Sequence, residues 1–202
     1  MSEDDRQARL VVIAFYQQQH PIDFTIRSVH FTSFMLNEVG RAISDRRIYV
    51  SYSLRLPYDA MYNPNENRLT VKSKEEVSGR MAAAIIHEGI HAACDLYNMR
   101  WMHIETAEAA AYIAEFIYAQ TNNITLHFNN HNLQIIATEA GRIARILRER
   151  GTPTLQQYEA VRAAVLRVPE TRRQAGSLRP DGTRQPIFNG VPREENNLYH
   201  LP

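Results

Sequence analysis

His87, Glu88 and His91 belong to one pentapeptide, His87-Glu88-Gly89-Ile90-His91, an H-E-x-x-H pattern inside a helical run. On a helix, residues four apart stack on one face, so the two imidazoles point the same way. Two such imidazoles can share one Zn²⁺ ion. The glutamate beside the first is free to take a proton from a water that zinc activates. With 8 histidines in the chain, composition alone yields the pattern in roughly 2 of 100 such chains, so its context decides. That context is the small, apolar run Met81-Ala82-Ala83-Ala84-Ile85-Ile86, which suits a buried helix. The competing reading, two surface histidines on an ordinary helix, fits poorly with a helix that has so little polar surface.

Elements must position this helix. Ser73-Lys74-Glu75-Glu76 reads as a capping box that starts it, and Asn98 as its stop. Ahead of it, Arg47–Tyr52 is β-branched and aromatic and is expected to be a strand. Tyr62-Asn63-Pro64-Asn65-Glu66-Asn67 is a turn cluster, and Arg68–Val71 a second short strand. Helices are expected over residues 4–19 and 31–43, then over 106–121, 130–150 and about a dozen residues after Thr154. The fold class is therefore α+β and mostly helical, with a short sheet or hairpin before the pentapeptide helix. Residues 1–170 form one domain. Residues 171–202, rich in Pro, Gly, Arg and Asn, read as an irregular tail.

Composition narrows the function. The 202 residues suffice for one sizeable core, and 44% hydrophobic with 22% charged residues is ordinary for a globular chain. A net charge of +1 gives no electrostatic case for nucleic acid or membrane. Arg142, Arg145 and Arg148 read as a solvated helix face rather than a nucleic-acid reader. The single cysteine, Cys94, excludes an internal disulfide framework and reads as a small core residue. No run reaches transmembrane length, and the acidic start Met1-Ser2-Glu3-Asp4-Asp5 lacks the basic region of a signal peptide. The expected location is cytoplasmic, or reached by export without a classical signal.

A catalytic zinc site takes three protein ligands and keeps one position open. His103, Glu105, Glu108 and Glu115 lie downstream and could supply the third. Glu108 opens Glu108-Ala109-Ala110-Ala111-Tyr112-Ile113-Ala114, whose small side chains allow close packing on the metal helix. Here the chain resembles the gluzincin zinc metallopeptidases. The glutamate-alanine helix is similar to that of ImmA/IrrE-like peptidases. Tyr62-Asn63-Pro64-Asn65-Glu66-Asn67 resembles the Tyr-x-Pro-x-x-Asn lead-in of small bacterial metallopeptidases. The resemblance covers residues 48–120. It implies a zincin-like core, His87 and His91 as ligands, Glu88 as general base and Glu108 as third ligand, with Glu105 next.

The expected function is hydrolysis of a peptide bond in a protein or peptide substrate, with Zn²⁺ as cofactor. Tyr112, His103, His127 and His131 are the candidates for stabilising the transition state, Tyr112 first. The substrate would lie along a strand edge near Leu69 or Val50. Two histidines and a carboxylate also suit iron or manganese; the retained glutamate favours zinc. The alternative is a slow zincin-fold regulatory module, or an effector or toxin, acting by binding one protein partner. Oligomeric state is left open.

Overall fold

A computed structural model of the chain describes residues 1–128, 130–169, 171–172, 188, 190 and 191. The irregular tail expected over 171–202 lies outside the described residues, apart from those five positions. The architecture is α+β and mostly helical, as expected, with six helices and two small sheets among the described residues.

Helix α1 (Glu3–Tyr16) starts at a capping box. Ser2 Oγ accepts the Asp5 amide at 3.1 Å while the Asp5 carboxylate accepts the Ser2 amide. The same carboxylate accepts the Tyr52 amide at 2.9 Å, tying the first turn to the sheet. The helix ends at Tyr16, with Gln17 as C-cap, short of the expected residue 19 and of Pro21. A hairpin then follows, β1 (Asp23–Ile26) paired antiparallel with β2 (Val29–Thr32). The sequence analysis did not anticipate it. Its turn carries no Asn-Gly signal, and Arg27 takes the left-handed conformation itself, at φ 54. Alternation supplies the missing logic: Phe24, Ile26, Val29 and Phe31 are buried, and Phe24 stacks on Phe31 at 5.3 Å. Helix α2 (Ser33–Ser44) follows directly.

The second sheet holds β3 (Tyr49–Tyr52), β4 (Ala60–Asn63) and β5 (Arg68–Val71) in the order β3-β5-β4. β3 runs parallel to β5, and β4 antiparallel to it. Strand β4 corrects the turn reading. Tyr62 and Asn63 are strand, and the turn begins at Pro64, where Asn63 Oδ1 accepts the Asn65 amide at 3.0 Å and Asn67 adopts φ 47. Leu69 lies in the central strand and is fully buried, and Val50 lies on the far edge. Neither can border a substrate at the pentapeptide; the edge that faces it is β4.

Helix α3 (Gly79–Leu96) carries the pentapeptide. The expected capping box does not start it. Ser73 Oγ does accept the amides of Glu75 and Glu76, at 3.3 and 3.4 Å, but it closes a turn before the helix. Gly79, at φ 52, then admits the chain to the helix with Ser78 as N-cap. The stop is as expected: Asn98 adopts φ 54, and the Met99 amide returns to the Cys94 carbonyl at 2.9 Å. Helices α4 (Ile104–Thr121), α5 (His131–Arg148) and α6 (Leu155–Val165) follow. Thr154 caps α6 in a full capping box with Gln157.

Helix α3 is the centre of the molecule. α2, α4, β4 and β5 all pack on it, and α4 is in turn covered by α5 and α6. Its small residues permit this: Ala82, Ala83, Ala92 and Ala93 are buried against neighbours, and Ala107, Ala109, Ala110 and Ala111 answer them on α4. Gly89 has a steric reason. A Cβ there would stand 2.6 Å from Tyr16 Oη and 2.9 Å from Leu36 Cδ2. The Tyr16 hydroxyl crosses this gap to donate to the Ile85 carbonyl at 2.7 Å. The glycine therefore lets α1 and α2 close on the back of the metal helix; it does not widen the cleft on the front.

Cys94 is buried with its sulfur 3.7 Å from that of Met102, as a core residue. Arg142, Arg145 and Arg148 are exposed. No helix among the described residues is long and apolar enough to cross a membrane.

Candidate metal centre

Two helices and one strand build the site. On α3, His87 and His91 stand one above the other, and Glu88 points toward β4. On α4, Glu108, Tyr112 and Glu115 share a face, since steps of four and three residues return to the same side of a helix. The close packing of α3 on α4 brings the two sets together.

Three donor atoms converge. His87 Nε2 lies 3.3 Å from His91 Nε2. Glu108 reaches both, with Oε2 3.6 Å from His87 Nε2 and Oε1 3.5 Å from His91 Nε2. Donors on a tetrahedron around an ion at about 2.0–2.1 Å stand roughly 3.3 Å apart, so this spacing fits a shared ion. The group His87, His91 and Glu108 could hold a metal ion, and the fourth direction opens on a cleft.

The surroundings prepare these donors. His87 Nδ1 donates to Glu115 Oε2 at 3.0 Å. A carboxylate only accepts, so Nδ1 carries a proton and Nε2 is the atom turned toward the other donors, as a ligating histidine requires. Burial alone would drive the His87 pKa down, but hydrogen bonds to Glu108 and Glu115 overcome it and hold the value well above the usual one. His91 is pushed down to about 4, by burial and then by the charge of His87. Glu108 is held below the ordinary range: burial raises it, and the two histidines more than offset that. Three carboxylates, Glu88, Glu108 and Glu115, thus crowd two imidazoles in one partly buried place. A cation relieves that crowding.

Glu88 is held by the sheet. Its Oε2 accepts the Tyr62 amide at 2.7 Å, so β4 aims the carboxylate. Burial raises its pKa to about 7, against the pull of His87 and the Tyr62 amide. A carboxylate poised there can take a proton near neutrality and give it back.

Tyr112 packs its ring edge-on against His87, with centroids 4.5 Å apart. Its phenol is held well above the usual pKa by burial and by the neighbouring carboxylates, so it stays a neutral donor. Of the other expected stabilisers, His127 lines the cleft, whereas His103 caps α4 and His131 begins α5, both off its lining. Glu105, second in line as third ligand, belongs elsewhere. Three residues before Glu108 it is turned about 60° around the helix, and it accepts from Arg162 of α6 at 3.0 Å.

The cleft encloses about 980 Å³. Met61, Tyr62 and Asn63 of the β4 edge form one wall, and Leu126, Phe128 and Leu133 form an apolar stretch. Tyr58 lines it while remaining largely exposed, whereas Tyr49 is exposed on the far strand and has no part in it.

The sequence reading missed three contributors. Glu115 was visible seven residues after Glu108, but only as a rival ligand rather than as the partner of His87. Tyr62 was legible as core or cleft wall, but not as the amide that holds Glu88. Phe188 carried no signal. Comparison of the chain with protein-family models, with curated proteins and with solved structures finds no match.

Proposed function

We propose that the protein is a zinc metallopeptidase with a zincin-like core, hydrolysing peptide bonds at the cleft above α3. The observation that supports this best is the joint placement of His87, His91 and Glu108 at ligand spacing with Glu88 beside them, aimed by the Tyr62 amide. A purely structural metal site needs neither an open side nor a base. His87, His91 and Glu108 would hold the ion, which when bound supplies Lewis acidity and brings the pKa of water down to about 7.

The chain's own groups do the rest. Glu88 takes the proton of the attacking water and passes it to the leaving amine. Tyr112, a neutral donor that lines the same cleft, would hydrogen-bond the developing oxyanion. Strand β4 is the sheet edge toward the cleft, and an extended substrate would pair with the backbone groups there that Glu88 leaves open. Glu115 fixes the His87 tautomer from behind.

The test is Glu88→Gln in the zinc-loaded chain, assayed on a peptide library read by mass spectrometry. The expected outcome is full zinc occupancy with hydrolysis reduced by about 10²–10⁴-fold. Unchanged cleavage would remove Glu88 from the base role. Zinc retained with no cleavage by the wild type would favour the slow, partner-binding reading.

A further inference from the structure

Phe188 and Gly190 lie far along the chain from α3, yet both contact it. Phe188 is buried to 1% exposure, lines the cleft, and faces the His91 ring at 6.3 Å and an interplanar angle of 27°. Two residues on, the Gly190 amide donates to Asp95 Oδ1 at 2.8 Å, one helical turn beyond His91. Val191 is buried at 5% exposure in the same apolar cluster as α3 and α4. Gly190 needs to be glycine: its φ is +88, and a Cβ would stand 3.1 Å from Asn98 Oδ1.

Asp95 carries a second load. Its Oδ2 accepts the Tyr62 hydroxyl at 2.7 Å, while the Tyr62 amide holds Glu88. Asp95 is fully buried, and a buried carboxylate persists only where donors satisfy it. Two of its donors come from opposite sides of the His91 end of the cleft, the Tyr62 hydroxyl from β4 and the Gly190 amide from beside Phe188. One carboxylate therefore sets both.

We propose that Phe188 is a specificity-determining wall of the metal cleft, held against His91 by the Gly190–Asp95 hydrogen bond. This rests on the metal reading above. Phe188 limits the size of the group that can lie beside His91, and Asp95 fixes that limit by clamping the stretch that bears it.

Two variants separate the parts. Phe188→Ala removes the ring and keeps the clamp. Gly190→Pro removes the amide donor and cannot adopt φ +88, so it releases Phe188 while every residue of 1–169 keeps its identity. Each is made in the full chain, loaded with zinc, and titrated by calorimetry with acetohydroxamate and with the larger benzohydroxamate. The expected result is that benzohydroxamate gains about ten-fold or more over acetohydroxamate in both variants relative to wild type. Zinc stoichiometry stays unchanged. In the metal-free chain, amide exchange around residue 191 is slow in the wild type and fast in Gly190→Pro.

Zinc bound but an unmoved hydroxamate ratio in both variants would overturn the wall and leave the metal site standing. Fast exchange around residue 191 in the wild type would overturn the clamp. No zinc in the wild type would fell the metal reading and this inference with it. Should Phe188→Ala fail to fold, Gly190→Pro decides.

Discussion

At the scale of single residues, the site separates ligands from supports. Glu105 and Glu108 are close in sequence and alike in chemistry, yet Glu108 faces two imidazoles and Glu105 faces Arg162. Glu108→Ala is expected to lose zinc, read by elemental analysis. Glu105→Ala is expected to keep it and to lower the melting temperature, because Arg162 loses a buried partner. The reverse pattern would exchange their roles. Glu115 supports from behind. Glu115→Ala leaves all three ligands in place and is expected to weaken zinc by about 10–100-fold in a competition titration. An unchanged affinity would make the His87–Glu115 bond incidental. His87, Glu88 and His91 were legible because their spacing is itself the helix repeat. Glu115 was legible as a residue but not as a role, because the number of turns between two groups does not tell which atom of a histidine each one meets.

At the scale of elements, α3 is clasped from both sides, and Gly89 shows what this demands. Alanine favours a helix interior by about 1 kcal/mol. Here its methyl would meet the Tyr16 hydroxyl and Leu36 at less than contact distance. Gly89→Ala is expected to destabilise the fold by about 1–3 kcal/mol despite the better propensity, read as a lowered thermal midpoint. A midpoint at or above that of the wild type would show that Tyr16 yields at no cost. The long helices were legible from their periodicity and their caps, Thr154 above all. Of the four-residue strands, β3 and β5 were legible from their β-branched and aromatic residues, and the other three were not. β1 and β2 show their alternation over too few residues, and β4 hides beside Pro64, where turn residues dominate the local signal. Missing β4 also misplaced the substrate edge, since strand order is a tertiary property that Leu69 and Val50 cannot announce.

At the scale of the whole molecule, one helix organises the rest. The back of α3 receives α1 and α2 through Gly89. Its flank receives α4, which delivers Glu108, Tyr112 and Glu115. Its front faces β4, which holds Glu88, and its far end receives Phe188. The pentapeptide foretold the clustering of His87, Glu88 and His91 but not this enclosure, since contacts between residue 188 and residue 91 leave no mark on local sequence. The central claim is that His87, His91 and Glu108 hold one zinc ion. Elemental analysis of the purified chain beside His87→Ala tests it most directly. About one zinc per wild-type chain, lost in the variant, is the expected result. No zinc in the wild type, even after reconstitution with excess metal, would contradict it.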